Sequence, residues 1–266
     1  MKTICIINLK GGVGKTISAI NIAYLLAAKH GKRVLLIDND KQGNTSKFFG
    51  LHSYDALSIA DALTDPDPYT LMRAIRTTEY NNLAGGGCLH LVPANMTLLR
   101  ANMQILLEVE RPRQTRLRES LQAMESANHK YDYVVIDNAP DMNISDINAL
   151  VAADDILVPI KFDSFASDGL EVLKSRIEEC KRFNPGVRIV GCFATMYQQN
   201  NVNKKGVQAL AGSLDFTMFR TVIRKTVKVD ESTYEGKPLA VYSPTCTAAK
   251  DFESLVAEYL EKCDRN

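Results

Sequence analysis

The stretch TICIINLKGGVGKTISAINIAYLLAAKH, residues 3–30, decides the fold of this chain. It begins with a short apolar run rich in β-branched side chains, which predicts a strand from Thr3 to Leu9. A glycine cluster follows at residues 11–14, and beyond it apolar side chains recur at helical spacing as far as residue 30. The order strand, glycine-rich loop, helix is typical of the first unit of a parallel α/β sheet.

The rest of the chain repeats this alternation of apolar runs and segments with helical periodicity. Five further runs predict strands at residues 33–37, 89–92, 133–136, 156–160 and 188–193. Helices are predicted at residues 98–107 and 119–124, after Ser167 and from Lys250 onward. Residues 61–87, rich in Pro, Asp, Asn and Gly, predict an irregular excursion over the sheet. Because the strands are apolar throughout, we expect an α/β fold in one domain over residues 1–266, a doubly wound, mostly parallel sheet with helices on both faces.

The composition is that of an ordinary globular protein, with 45% hydrophobic and 24% charged residues among 266. These fractions exclude disordered and fibrous classes, and no apolar run reaches the roughly 18 residues of a spanning helix. The six cysteines are scattered without a C-x-x-C pair, so we expect free thiols in a reduced cytoplasm rather than a metal cluster. The formal net charge of +1 gives no overall preference for nucleic acid.

The loop KGGVGKT, residues 10–16, lies where an α/β sheet binds phosphate, between the first strand and the first helix. Its glycines would turn backbone N–H groups toward the phosphates. Lys15 is expected to neutralise the β and γ oxygens, and the Thr16 hydroxyl to ligate Mg²⁺. The alternative, a plain glycine-rich turn, is disfavoured by the strand and helix on either side.

Acidic residues follow two of the predicted strands at the point where each strand ends. Asp38 and Asp40 come after the run RVLLI, and Asp137 follows the run YVVI. The carboxyl ends of neighbouring parallel strands face one crevice, so these carboxylates can hold Mg²⁺ or orient an attacking water. A single aspartate at a strand end is as often a helix cap, but three beside a phosphate loop favour the metal and water roles.

Four ordered segments resemble the ParA/Soj plasmid and chromosome partition ATPases, a branch of the deviant phosphate-loop ATPases. The loop matches their pattern K-G-G-x-G-K-[ST], with Lys10 as the additional first lysine. Residues 38–44 (DNDKQGN) match D-x-D-P-Q-G-N, and residues 131–140 (YDYVVIDNAP) match Y-D-Y-I-I-I-D-x-P-P. Residues 221–232 (TVIRKTVKVDES), followed by Gly-Lys-Pro and Tyr-Ser-Pro, match T-x-I-P-R-x-V-x-x-x-E-A and the segments after it.

The resemblance implies an ATPase that converts ATP and water to ADP and phosphate with Mg²⁺, and that forms a homodimer around two ATP molecules. Lys10 would reach the nucleotide of the partner protomer, and Asp40 would position the hydrolytic water. The catalytic residues expected are therefore Lys10, Lys15 and Asp40, and the expected metal site comprises Thr16, Asp38 and Asp137. Residues expected to bind the nucleotide are Lys10, Gly11, Gly12, Val13, Gly14, Lys15, Thr16 and Ile17, with Ile223 and Arg224 along the adenine.

Four positions depart from the family pattern. Lys41, Ala139 and Arg224 stand where the family has Pro. Ile17 stands where a second Thr commonly contacts the α-phosphate, so this contact would come from the backbone. These departures bear on turnover rate and nucleotide affinity more than on the reaction class.

The resemblance further implies a ParB-like partner that stimulates hydrolysis, and non-specific DNA binding that brings the ATP-bound dimer to the nucleoid. Residues 181–228 contain nine basic residues and one acid, a net charge of +8, so the remainder of the chain carries −7. Such a segment fits salt-dependent neutralisation of DNA phosphates, although basic runs are often solvated surface. The expected DNA contacts are Lys204, Lys205, Arg220, Lys225 and Lys228. Because the chain starts at the first strand, we expect no preceding helix-turn-helix domain and no operator-specific repression.

Two other functions stay open at this point. One is an ATP-dependent positioning switch for cargo other than DNA, and the other is a phosphate-loop metabolic ligase, for which no second-substrate motif is visible. Membrane association of the MinD type is not expected, because the last turns carry more acids than bases. The apolar stripe of this C-terminal helix fits a core contact instead.

Overall fold

The computed structural model describes residues 1–163, 166–212 and 216–264. The strands are β1 (Lys2–Ile6), β2 (Arg33–Asn39), β3 (Arg76–Thr77), β4 (Cys88–Val92), β5 (Tyr133–Asn138), β6 (Asp155–Ile160) and β7 (Arg188–Ala194). They form one seven-stranded sheet in the order β3-β4-β2-β5-β1-β6-β7. All neighbours pair in parallel except the short edge strand β3, which runs antiparallel to β4.

Helices connect the strands and pack on both faces of the sheet. They are α1 (Lys15–His30), α2 (Asn44–Phe48), α3 (Ile59–Thr64), α4 (Thr70–Ala74), α5 (Thr97–Leu107), α6 (Arg116–Ser126), α7 (Ile144–Ala152), α8 (Ala166–Cys180), α9 (Asn201–Ala211), α10 (Val227–Tyr234), α11 (Leu239–Tyr242) and α12 (Thr247–Asp264). A single 3₁₀ turn at Ala84–Gly86 is also present among the described residues.

Successive side chains of each strand enter two separate apolar cores, since they point to opposite faces of the sheet. In β1, Ile4 and Ile6 pack with α1 and α12, whereas Cys5 packs on the other face with residues of α3 to α8. All three side chains are fully buried. The strands are apolar throughout because both faces are covered, and the predicted doubly wound α/β fold is confirmed.

The first strand is shorter than predicted. It ends at Ile6 rather than Leu9, because Asn8 has already left the sheet. The Asn8 side-chain amide donates a 2.8 Å hydrogen bond to the Pro159 carbonyl, which fixes the chain where the phosphate loop begins.

The predicted irregular excursion at residues 61–87 is wrong in part. This segment contains most of α3, all of α4 and the edge strand β3. A capping box between Ser58 and Asp61 starts α3, and Leu63 and Leu71 are buried in the core. Buried apolar residues and a good cap therefore outweigh the turn-rich composition of the segment.

The C-terminal helix α12 closes the core beside α1, as its apolar stripe predicts. Phe252, Leu255, Val256 and Tyr259 are buried in the cluster that holds Ile20 and Ala23. Among the described residues, no helix combines the length and the apolar character that crossing a membrane requires.

Candidate functional site

The phosphate loop keeps its shape through two left-handed glycines and one anchor. Gly12 and Gly14 have φ of 68° and 85°, where a side chain would strain the backbone. Val13, between them, is buried, and its carbonyl accepts a 2.8 Å hydrogen bond from the Thr195 hydroxyl. Gly14 precedes α1 directly, so the loop and the positive end of this helix border the same cleft.

Lys15 lies beneath this loop. It is 7% exposed, and its Nζ donates to the carbonyls of Asn8 at 3.0 Å and Lys10 at 2.9 Å. Burial lowers the pKa of Lys15, while the nearby carboxylates of Asp137 and Asp40 oppose this shift. The ammonium group is thus held at the centre of the loop, with the acids of two strand ends as its counter-charges.

Lys10 lies at the outer side of the loop, and its ammonium contacts the carboxylate of Asp163 after β6. Both side chains are about one-third exposed, at 32% and 36%. The Lys10 backbone N–H donates to the Asn8 side chain at 2.9 Å, which orders the loop but leaves the lysine side chain at the surface. Within one protomer, Lys10 is therefore held by an acid of its own chain.

The two strand-end aspartates lie side by side. Asp38 and Asp137 are register partners on β2 and β5, and both are fully buried. Asp38 accepts the backbone N–H and the hydroxyl of Ser46 at 2.8 and 2.6 Å, and its other oxygen accepts the Asp40 N–H at 3.2 Å. Asp137 accepts the Thr45 hydroxyl at 2.7 Å. Sequence reasoning missed Thr45 and Ser46, although they follow directly on the matched segment 38–44.

Both aspartates have a raised pKa, but only Asp137 has a carboxylate oxygen without a hydrogen-bond partner among the described residues. Burial raises the pKa of Asp38 to about 6, and burial together with the charge of Asp38 raises the pKa of Asp137 to about 7. The hydrogen bond from Thr45 opposes this rise in the pKa of Asp137, and so does the nearby Thr16 hydroxyl. Among the described residues, Asp137 Oδ1 has no hydrogen-bond partner, whereas both oxygens of Asp38 are engaged.

This arrangement fits a magnesium ion at Asp137 and Thr16. A buried, unpartnered carboxylate oxygen beside a hydroxyl is the hard oxygen donor set that Mg²⁺ prefers. No cluster of three or more His, Cys, Asp or Glu side chains suited to a metal occurs in the described part of the chain. In nucleotide sites one or two protein ligands suffice, because substrate phosphates and waters complete the coordination.

Asp40 opens a β-turn, which the Gly43 N–H closes by donating to the Asp40 carbonyl at 2.8 Å. The Asp40 carboxylate accepts the Gln42 N–H at 2.9 Å, and the residue is 8% exposed. The turn borders a cleft of about 450 Å³ that Gly12, Lys15 and Thr16 also line. Lys15 and Asp40 thus share one cavity, whereas Lys10 does not line it.

An apolar pocket of about 260 Å³ adjoins the loop beside α1. Its lining includes Gly14, Ile17, Thr195, Met196, Ile223, Val229 and Phe252. Arg224 also borders the pocket, but its guanidinium pairs with Asp251 at 2.6 Å. The pocket can take a flat apolar ring such as a nucleobase, with Ile223 as a wall and the Arg224 charge already engaged.

Comparisons with known proteins agree with this geometry. The matching family model is described as an AAA domain and spans residues 1–189. Chromosome partitioning protein ParA of Caulobacter vibrioides is 34% identical over 98% of this chain and 95% of its own length. The chain belongs to the ParA/Soj family of partition ATPases. Another member, the chromosome-partitioning ATPase Soj of Treponema pallidum, is 32% identical over 98% of both chains.

The fold of this ParA/Soj family member is shared more widely. Cobyrinic acid a,c-diamide synthase of Mycobacterium smegmatis, solved with an ATP analogue and magnesium, has a TM-score of 0.80 at 23% identity. The likeness covers 99% of this chain and 96% of the synthase. A synthase and partition ATPases thus share the fold, and the sequence relatives, rather than the fold, separate this chain from the ligase alternative.

The basic segment of this ParA/Soj family member is partly neutralised by acids that lie outside residues 181–228. Five of its nine cations form ion pairs of 3.7 Å or less: Lys181–Glu178, Arg188–Asp155, Arg220–Glu258, Arg224–Asp251 and Lys228–Glu231. Lys204, Lys205 and Lys225 are exposed and form no ion pair within the described ranges. The one acid that the sequence counts here, Asp215, lies outside the described residues. Composition therefore overstated the free positive charge of this segment.

Proposed function

We propose that this chain is a Mg²⁺-dependent ATPase that dimerises with ATP and, as a dimer, binds DNA without sequence specificity during plasmid or chromosome partition. A ParB-like partner would stimulate hydrolysis and release the DNA. The observation that carries the proposal is the shared cleft, in which Lys15, Thr16 and Asp40 meet at the carboxyl edge of the sheet. The partition role is supported by the relatives, which are named for chromosome partition.

In the proposed reaction a water oxygen attacks the γ-phosphorus of ATP, the bond to the β–γ bridging oxygen breaks, and ADP and phosphate are formed. Asp40 holds the attacking water by a hydrogen bond. Lys15 and the loop N–H groups stabilise the negative charge on the transferred phosphoryl. Thr16 and Asp137 would hold Mg²⁺, which would supply charge neutralisation for the phosphates. Asp38 orders the Asp40 turn and the start of α2 through its bonds to Asp40 and Ser46.

The proposed dimer depends on Lys10. In a single protomer its ammonium contacts Asp163, so it would leave this acid to reach the triphosphate of the partner protomer. A triphosphate carries more negative charge than one carboxylate, which favours the exchange when ATP is bound. Removal of Lys10 should therefore weaken ATP-driven dimerisation while sparing ADP binding.

The proposed DNA surface rests on the unpaired lysines. Lys204 and Lys205 lie on α9, and the Lys225 N–H donates to the Tyr197 carbonyl, a few residues before that helix begins. An exposed cation without a carboxylate partner can bind a DNA phosphate without first breaking an ion pair. Arg220 and Lys228 would contribute only by exchanging an acid for a phosphate.

A gel shift on random-sequence DNA, with ATP, ADP or no nucleotide at two salt concentrations, tests the proposal. We expect a shift that needs ATP and weakens with salt. Asp40→Ala should bind ATP, hydrolyse it about 100-fold or more slowly and keep its DNA shift. Lys29→Ala, at the other end of α1 from the phosphate loop, is the control and should hydrolyse ATP and shift DNA like the parent.

Binding that ignores the nucleotide would count against the partition role. Normal ATP hydrolysis without any DNA shift would instead favour cargo other than DNA. An Asp40→Ala variant that hydrolyses ATP at the parent rate would remove Asp40 from the mechanism.

A further inference from the structure

One contact at the rim of the nucleotide cleft has no role in the reaction above. Lys41 Nζ lies 2.5 Å from Asp141 Oδ2, across the gap between the loops that follow β2 and β5. Asp141 also accepts the side-chain amide of Asn143 at 2.9 Å. The Lys41 and Asp141 side chains are 23% and 45% exposed, and both residues line the cleft that holds Lys15.

Lys41 occupies the second position of the turn that Asp40 opens and Gly43 closes. Proline is favoured at this position because its fixed φ suits the turn. The ParA/Soj pattern has Pro here, and the Lys41 N–H makes no hydrogen bond within the described part of the chain. Lysine does not fix φ in this way, so the turn relies on the Gly43 hydrogen bond and on side-chain contacts to hold its conformation.

The loops that follow β2 and β5 are joined at two places, one buried and one at the rim of the cleft. Deep in the protein, the Asn39 side-chain amide donates to Asn138 Oδ1 at 2.8 Å and to the Ser145 carbonyl at 3.1 Å. At the rim, the only join is the ion pair of Lys41 with Asp141, as far as the described residues extend. Asp40 lies between these two joins. The Gln42 N–H orients the Asp40 carboxylate within the turn at 2.9 Å, and the two joins set where the turn lies relative to the β5 loop.

We propose that Lys41 and Asp141 are positioning residues for hydrolysis, whose ion pair holds the Asp40 turn against the β5 loop and so aims the Asp40 carboxylate at the attacking water. The inference rests on the proposed ATPase function. Neither residue is assigned a contact with the nucleotide. In this chain a side-chain contact between two loops replaces the backbone restriction that a proline gives.

Single-turnover hydrolysis and ATP affinity, measured on the full chain and four variants, test this assignment. Lys41→Ala and Asp141→Asn should slow hydrolysis about tenfold, since small misplacements of a catalytic group have large effects on rate. ATP affinity should stay within about threefold of the parent, because the exposed pair does not hold the phosphates. Lys41→Arg should keep the parent rate by restoring the pair, and Lys41→Pro by restoring the turn.

Lys181→Ala is the matched control, because it breaks an exposed 2.6 Å ion pair with Glu178 on α8 and should leave both quantities unchanged. A Lys41→Ala variant at the parent rate would overturn the assignment. So would a slow Lys41→Ala beside a fully active Asp141→Asn, since Lys41 would then act on the nucleotide itself. A slow Lys41→Pro variant that binds ATP would overturn the turn argument. If the parent chain hydrolyses no ATP, the proposed function fails, which is a distinguishable result.

Discussion

The carboxyl edge of the sheet and the basic segment at residues 181–228 both carry proposed functional residues, but they are built in opposite ways. At the edge, Asp38 and Asp137 are fully buried and accept hydrogen bonds from Ser46 and Thr45. In the basic segment the cations are largely at the surface, and five of the nine pair with acids outside the segment, two of them only three residues away in sequence.

The difference determines what a substitution can do in each region. A buried ionic group cannot be replaced by solvent, so removal of one partner leaves another charge or dipole unsatisfied. An exposed charge is screened by water and salt, and its loss changes mainly the local net charge. Function at the carboxyl edge should therefore depend on each residue, whereas function of the basic segment should depend on its total positive charge.

The largest expected effect tests the buried side of this contrast. Lys15→Ala should reduce ATP affinity by at least about 100-fold, because a buried cation that pairs with phosphate contributes about 2 to 5 kcal/mol. Titration with a fluorescent nucleotide measures the loss, with circular dichroism as the check on folding. Lys29→Ala, whose exposed pair with Glu253 is 3.4 Å long, should bind ATP normally. Equal losses in both variants would break the contrast.

The next effect concerns a buried acid that is outside the proposed metal site. Burial raises the pKa of Asp146 well above its usual value, and Asp146 Oδ1 has no hydrogen-bond partner among the described residues. The folded state therefore binds a proton that the unfolded state releases, so this contribution to stability is present at low pH and is lost as pH rises through the raised pKa. The free energy of unfolding should rise as pH falls from 8 toward 5.

Asp146→Asn imitates the protonated acid and can still accept the Asn143 N–H that Asp146 accepts at 2.9 Å. It should be more stable than the parent at pH 8, by about 1 to 3 kcal/mol, and converge with it near pH 4, the ordinary pKa of an aspartic acid in the unfolded chain. Urea unfolding at both pH values measures the difference. Asp38 and Asp137 also have raised pKa values, so part of the slope should persist. Equal slopes in parent and variant would contradict the assignment.

A smaller effect is expected from the unpaired cations. Lys204→Ala, Lys205→Ala and Lys225→Ala should each weaken ATP-dependent DNA binding by a few fold and reduce the salt slope by about one. Fluorescence anisotropy over a salt series gives both numbers. Arg188→Ala is the control, since its guanidinium is held by buried Asp155 at 2.6 Å. If Arg188→Ala lost as much DNA affinity as the three lysine variants, ion pairing would not distinguish the cations that bind DNA from those that do not.

The smallest effect is a gain. Glu231 accepts Lys228 Nζ at 2.7 Å on the exposed side of α10, so Glu231→Gln frees this lysine with little structural change. DNA affinity should increase about twofold, in line with the strength of exposed ion pairs. The same anisotropy assay detects it. A decrease would indicate that the lysine needs its acid partner to be positioned.

Local chemistry explains which features of the site could be predicted from the sequence. Gly12 and Gly14 stand at positions with positive φ, so the loop conformation itself demands glycine. Asp38 and Asp137 end adjacent parallel strands, and the apolar runs before them place both at one edge. Residue type and spacing along the chain were sufficient in each case.

Contacts between distant segments explain what the sequence did not reveal. Arg224 was expected along the adenine and does border the apolar pocket, but the sequence did not reveal that Asp251 on α12 engages its guanidinium. Lys41 looked like a mere departure from a proline, and its partner Asp141 lies on the loop of a different strand. The turn-rich composition of residues 61–87 concealed α4, because the burial of Leu71 cannot be read from local composition.

The sequence alone determined the α/β class, the phosphate loop and the family, because glycine, lysine and aspartate at those spacings meet needs of the local backbone and of phosphate. The tertiary structure decided which charges are free. Arg224 and Lys225 are neighbours in the same basic run, yet only Arg224 pairs with an acid within the described residues, Asp251 of α12 at 2.6 Å. An ion pair depends on distance in space, and the fold sets that distance by packing elements that are far apart in the chain.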